Sequence, residues 1–221
     1  MMKISDSTFD VLKNFSTINQ SLAFKKGSTI RTVSEQKTIL AQAKIEEALP
    51  VDFAIYELNQ FLGLSSLFED ADFEFGQSQV TLKEGSSKAN YTYADPSMIT
   101  TPPEKNIELP STEVQFDMGK ADLRQILNGA NQLGLPEVTI TNRDGKVSLV
   151  ATDTKNPSSN EFAISSESDT DASFRFIFKI ENLKFIPNDY TVSISKSGIA
   201  HFKSENVEYW VATESGSEYN S

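Results

Sequence analysis

The feature that most constrains this chain is a recurrence. Four times a β-type segment runs into a short helical pattern and then into two or three further strand-like segments. The leading segments centre near Ile4, Ile55, Phe116 and Phe176, at steps of 51, 61 and 60 residues. Periods of this size mark architectures in which one supersecondary unit is written several times, each copy needing its neighbours to cover its apolar face. The first helix is expected over 7–18, with Val11, Leu12, Phe15 and Ile18 on one stripe and Asp6 or Ser7 as N-cap. A second falls at 59–68, a third at 120–133 around Leu123, Ile126, Leu127, Ala130 and Leu133, and a fourth as a turn or two at 180–185. Helices one and three match apolar to apolar at an offset of 115: Val11 with Ile126, Leu12 with Leu127, Phe15 with Ala130, Ile18 with Leu133.

Strands are expected at 53–56, 73–75, 80–82, 90–93, 138–141, 147–150, 174–178, 190–194 and 209–211, from alternation and β-branched or aromatic content. Asp144-Gly145 signals a hairpin, because glycine accepts positive φ. Residues 158–171 are rich in Ser and acids with a short apolar centre, Phe162-Ala163-Ile164, which reads as an edge strand between loops. Segment 96–110 holds half of the chain's eight prolines. Proline fixes φ and removes an amide donor, so this segment reads as an extended connector. It divides the chain into domains 1–95 and 111–221, each with two copies of the unit, the fold class being α+β. The tail 215–221 is polar and reads as frayed.

Charge excludes one mode of action. Thirty-one acids against twenty bases give −11, so attachment to an anionic polymer through a wholly basic surface is ruled out. The absence of Cys excludes disulfide frameworks, thiolate chemistry and Cys-based zinc sites. No apolar run follows Lys3, so no secretory leader is expected. No stretch approaches the roughly 20 apolar residues of a membrane helix.

Catalytic patterns are weak. The single His, His201, lies in the alternating run 199–203 and reads as a strand residue. No nucleophile elbow surrounds any Ser, and no phosphate loop or dinucleotide glycine pattern occurs. The acid cluster 69–74 lacks the spacing of a Ca²⁺ loop and reads as a solvated turn. Thirty-one acids always offer pairs for glycosidase-type chemistry, and nothing singles one out. Basic residues are few but placed on or near the helices: Lys13 on the first, Lys120 and Arg124 on the third, and Arg175, Lys179 and Lys184 around the fourth, where only Glu181 opposes them.

Several stretches carry a resemblance. Met2-Lys3-Ile4-Ser5 leading into Leu12-Lys13-Asn14-Phe15-Ser16-Thr17-Ile18-Asn19, the run from Val51-Asp52-Phe53 to Phe61-Leu62-Gly63, Ala94-Asp95-Pro96-Ser97 at the connector and Pro187-Asn188-Asp189-Tyr190 are similar to the sliding clamps, or DNA polymerase processivity factors, of T-even-type bacteriophages. The first half is the more specific match. The second resembles the family in element order and length.

The resemblance implies the DNA-clamp fold: two similar domains per chain, each with two strand–helix–strands repeats, closing as a homotrimer into a ring of six domains. Helices would line the hole and sheets the rim. Such a ring encircles double-stranded DNA without sequence preference and tethers the phage DNA polymerase, with no catalysis and no cofactor. An ATP-driven clamp loader would be a separate partner, late-transcription factors a secondary one, and the host cell cytoplasm the place of action. Lys13, Lys120, Arg124, Lys179 and Lys184 are then the DNA-facing candidates. Helix two has no basic residue, and helix three offers Asn128 and Asn131 where bases would suit, so the contacts should be sparse. A partner-peptide pocket falls to Met98, Ile99, Ile107, Leu109, Tyr209, Trp210 and Val211. Apart from the resemblance, the composition suits a β-rich virion or carbohydrate-binding module, or a hydrolase using carboxylates. The fourfold strand–helix register separates the clamp from a plain β-sandwich.

Overall fold

Helix α1 (Asp6–Ser16) opens the fold of the computed structural model, which describes residues 1–105 and 107–220. Asn106, in the expected connector, and Ser221, at the end of the expected second domain, lie outside the described residues. The N-cap of α1 is Ser5, one or two residues earlier than the sequence suggested; its hydroxyl accepts from the Thr8 amide at 3.3 Å, and Asp6 falls in the first turn. A Ser cap followed by an acid suits the exposed donors and positive dipole end of a helix start.

Glu47 completes that cap from outside the helix. Its carboxylate accepts from the Ser5 amide and the Thr8 hydroxyl. Burial raises its pKa, but these hydrogen bonds outweigh burial and hold the carboxyl below its ordinary value of 4.5. A lowered folded pKa stabilises fully above that ordinary value, and the contribution is lost as pH falls through the folded one. Glu47→Gln should therefore lower unfolding stability by about 1 kcal/mol at pH 7, and the deficit should shrink below pH 4.5. Urea unfolding of both chains at neutral and acid pH checks this.

The chain forms two units, Met1–Glu104 and Lys105–Ser221, dividing inside the Pro-rich segment. In the first, α1 is followed by β1 (Leu22–Phe24), β2 (Gly27–Val33), β3 (Ile39–Leu49) and β4 (Phe53–Ile55), then α2 (Leu58–Ser65) and a meander of β5 (Asp72–Phe75), β6 (Gln79–Glu84) and β7 (Ser87–Thr92). β1 pairs antiparallel with β4, and β2 with β3 through a bulge after Gly27. β5, β6 and β7 pair in order, and Met2 bridges to Phe73 beside β5. The two helices pack on each other and α1 also on β3, burying Leu12, Phe15, Leu58 and Phe61.

The second unit runs β8 (Val114–Met118), α3 (Lys120–Leu133), β9 (Glu137–Arg143), β10 (Lys146–Thr152), β11 (Phe162–Asp169), β12 (Ser173–Lys179), then β13 (Tyr190–Ser195), β14 (Ile199–Lys203), β15 (Val207–Ala212) and β16 (Glu218–Asn220). One sheet has the order β11-β10-β9-β12-β16; the other strands pair as β15-β14-β13-β8. α3 covers β9, β10 and β11 with Leu123, Ile126 and Ala130, and ends at Gly134, whose φ of 64° is the left-handed conformation that glycine adopts without strain. The second and third copies show the order the recurrence predicts, β4–α2–meander and β8–α3–strands; the first lacks a leading strand near Ile4, where Met2 makes only an isolated bridge to Phe73.

Two expectations are corrected. The fourth helix is a single 3₁₀ turn, Ile180–Asn182. Leu183 and Phe185 are both buried, two residues apart, a period that suits extended chain and not a helix. The Ile180 amide leaves the turn for the Pro136 carbonyl at 3.0 Å. The tail is not wholly frayed: β16 pairs with β12, Tyr219 opposite Phe174.

Candidate nucleic-acid interface

Amphipathicity fixes which residues each helix can offer to a partner. On α1 the exposed face carries Asp6, Ser7, Asp10 and Lys13; on α2 it carries Asn59, Gln60 and Gly63; on α3 it carries Lys120, Arg124, Gln125, Asn128 and Asn131. Lys13 lies in the last turn of α1, where a cation suits the negative dipole end, and it pairs with Asp10 at 3.1 Å. Lys120 and Arg124 sit four residues apart on one face of α3, with Asp122 turned to accept from the Gly119 amide.

The three helices contain three acids, Asp6, Asp10 and Asp122, and three bases, Lys13, Lys120 and Arg124. They are neutral together in a chain of −11, so the whole acid excess lies off the helices. Helices of low net charge and rich in side-chain amides exert little repulsion on phosphate and offer hydrogen-bond donors that read no sequence.

The other candidates sit around the 3₁₀ turn. Lys179, at the end of β12, pairs with Glu214 at 3.7 Å, and Lys184 is exposed beyond the turn. The structure brings Lys120 and Arg124 together on one helix, and Lys179 and Lys184 to the two ends of one turn; Lys13 belongs to the other unit.

The pocket candidates divide sharply by exposure. Met98, on the 3₁₀ turn Pro96–Met98, is 70% exposed, Ile99 beside it is buried, and Ile107 and Leu109 are half-buried. Tyr209, Trp210 and Val211, on β15, are 0%, 7% and 0% exposed. Tyr209 stacks on Phe185 at 4.3 Å between centroids, and its hydroxyl accepts from the Ile186 amide at 3.1 Å. Trp210 lies flat on His201 at 4.5 Å. The imidazole of His201 also meets the Glu208 carboxylate at 2.8 Å; burial pushes its pKa below the ordinary value, against the raising effect of Glu208. The acid cluster is a closed turn: Lys3 pairs with Asp70 at 3.0 Å and Asp72 at 3.6 Å, and Glu84 accepts from the amides of Glu69 and Asp70. Among the described residues no acid or His group is arranged to hold a metal ion.

Two features escaped the sequence reading. Among the described residues β7 pairs only with β6, and β11 only with β10, so each ends its sheet, as β5 also does in the first unit and β8 and β16 in the second. β7 carries Lys88 and β11 carries Glu167 and Asp169. Register and pairing partners are non-local, so no local pattern marks these edges. The second feature is Gly129, in the middle of α3, whose Cα lies against the ring of Phe162 on β11. A glycine inside a helical pattern is the signal that marks such a close approach.

A family model described as DNA polymerase processivity factor matches residues 4–101, and one described as gp45 sliding clamp, C terminal, matches residues 115–215. The sliding clamp of Vibrio phage KVP40 is 36% identical over 221 residues, covering 96% of this chain and 99% of that relative. The sliding clamp of Enterobacteria phage T4 is 31% identical over 229 residues, covering 99% and 100%. Among solved structures, A. fulgidus PCNA bound to the C-terminal region of FEN-1 superposes with a TM-score of 0.73 at 14% identity, covering 99% of this chain and 100% of that one. The Helicobacter pylori β clamp bound to a DNA ligase peptide gives 0.71 at 13% identity, covering 97% of this chain and 65% of that one. These last two likenesses are of fold.

Proposed function

This chain belongs to the phage sliding-clamp family and is a DNA polymerase processivity factor; from that premise we propose that three copies close into a ring around double-stranded DNA, held there by linkage and not by tight contact. The carrying observation is a pair of edge strands, β7 in the first unit and β11 in the second, with opposite charge: Lys88 on β7, Glu167 and Asp169 on β11. One patch meeting a different patch on the next copy is a head-to-tail contact, which generates a ring when the rotation closes. Edge pairing also satisfies the backbone groups each strand leaves open. Residues 1–95 and 111–221 serve as the ring domains and 96–110 as the connector.

Topological linkage reconciles the charge with the substrate. A salt-sensitive grip needs many Lys and Arg on phosphate; a linked ring needs only an inner surface that does not repel. Lys13, Lys120, Arg124, Lys179 and Lys184 are the DNA-facing set in this reading. The chain acts without catalysis of its own, in the host cell cytoplasm, with an ATP-driven loader as a separate machine and late-transcription factors as further clients. Polymerase and other client peptides dock on the connector residues Met98, Ile99, Ile107 and Leu109, while Tyr209, Trp210 and Val211, buried in β15, offer them no surface. The A. fulgidus PCNA structure is bound to the C-terminal region of FEN-1 and the Helicobacter pylori β clamp to a DNA ligase peptide, which supports a peptide mode.

Light scattering at micromolar concentration should give a particle of three 24.5 kDa chains; a monomer under every condition would overturn the ring. A ring carrying both Lys13→Glu and Lys184→Glu should load more slowly or lose processivity, and a variant unchanged in both assays removes these two residues from the DNA-facing set.

A further inference from the structure

β16 lies on β12 as an acidic strand on a basic one. The two pair antiparallel, Asn220 opposite Ser173, Tyr219 opposite Phe174 and Glu218 opposite Arg175. Behind this ladder the Glu214 amide donates to the Ile177 carbonyl at 2.8 Å, and the Ile177 amide donates to the Ser217 hydroxyl at 2.9 Å. Residues 214–220 thus form a strap along the side of β12 that β9 leaves open.

Backbone pairing covers a strand edge whatever the side chains are. Here the side chains add matched charge. Residues two apart on a strand share a face, so Arg175, Ile177 and Lys179 stand on one face of β12. Glu218 meets Arg175 at 3.6 Å, and Glu214 meets Lys179 at 3.7 Å. Arg175 Nη2 also donates to the Gly216 carbonyl at 3.5 Å. Run 173–186 holds three bases and one acid, and run 214–220 holds two acids and no base, so the strap cancels a local charge of +2. The four paired side chains are 26% to 58% exposed. Ion pairs of this kind are weak and screened by salt, whereas a nucleic-acid backbone presents many phosphates at once.

We propose that residues 214–220 are a displaceable anionic cover over β12, in which Glu214 and Glu218 hold the cations that a phosphodiester backbone would otherwise take. The cover regulates the DNA-facing set through Lys179 and adds Arg175 to it. That the competing anion is duplex DNA rests on the clamp reading; the cover and its charge do not. In place, it keeps contact too weak to stop a linked ring from sliding.

The test titrates the full chain onto a fluorescein-labelled linear duplex of about 20 base pairs, read by anisotropy between about 50 and 200 mM salt. A chain carrying Glu214→Gln and Glu218→Gln keeps the backbone ties and should bind about tenfold more tightly at the lowest salt, with a log–log salt slope steeper by about two. Glu35→Gln with Glu205→Gln, at two exposed acids elsewhere, changes net charge equally and should shift affinity by about twofold at most. Adding Arg175→Gln and Lys179→Gln to the first variant should remove its gain. In the wild-type chain, duplex at the lowest salt should speed amide hydrogen exchange at Ile177 and over 218–220. No gain, an equal gain in the control, a gain that survives loss of both cations, or unchanged exchange overturns the cover. Particle mass of the same preparations reports on the ring separately, so the cover can fail while the clamp reading stands.

Discussion

Gly129→Ala is expected to weaken ring assembly far more than its size suggests. A Cβ at this position would lie 2.3 Å from Cδ1, 2.6 Å from Cγ and 2.9 Å from Cε1 of Phe162. Approach to Cγ, the root of the ring, means that rotating the ring tip does not relieve the clash; Phe162 must leave the helix surface. Phe162 begins β11, an edge strand of the second unit. Overpacking of this kind costs about 1–3 kcal/mol, and the better helix propensity of Ala returns up to about 1 kcal/mol. Unfolding stability should therefore change little or fall modestly, whereas the displaced edge should raise the concentration for half-assembly by about tenfold or more. Sedimentation over a concentration series reads the assembly and urea unfolding reads the stability. Adding Phe162→Ala should recover part of the assembly loss. A Gly129→Ala chain that assembles like wild type would show that α3 does not position β11.

The second large effect is expected at Tyr209. Its side chain is fully buried, stacked on Phe185 and edge-on to Tyr190 at 6.1 Å. Burial drives its phenol well above the ordinary pKa, so it stays a neutral hydrogen-bonding group. Tyr209→Ala empties a ring-sized volume and leaves the Ile186 amide without its acceptor. The loss should be about 3–5 kcal/mol, with Tyr209→Phe costing about 1–3 kcal/mol through the orphaned amide. Chemical denaturation of the three chains checks this; a Tyr209→Ala chain within 1 kcal/mol of wild type would contradict a core role. A peptide-binding defect in Tyr209→Ala reports a disturbed core, so Met98, on the surface, is the sharper probe of the apolar pocket.

What was legible in the sequence follows the range of the interaction. α3 is legible over its exact span because its apolar spacing lies within the helix, and Gly119 and Gly134 stand directly at its two ends. β12, β13 and β14 were legible because Phe174-Arg175-Phe176 and its like alternate. β3 was missed, though at eleven residues it is the longest strand. Its Ala, Gln, Lys and Glu are helix formers, and the burial of Ala41, Ala43 and Ile45 against outward Lys44 and Glu46 becomes decisive only when β2 pairs beside it. The fourth helix was overread because Ile180, Leu183 and Lys184 suit a helix, while tertiary burial of Leu183 and Phe185 demanded the other period. At the site, the basic residues were visible one by one. The net charge of the helices needed exact helix boundaries, and the edge strands needed the sheet order, which no single segment encodes.

The measurement that reaches the central proposal most directly is retention on closed circular against linearised duplex DNA, in moderate salt, after loading. A ring held by linkage should stay on the circle and run off the free ends of the linear molecule, with the loss stopped when the ends are blocked. Equal retention on both forms, falling together as salt rises, would show binding by contact and contradict the account.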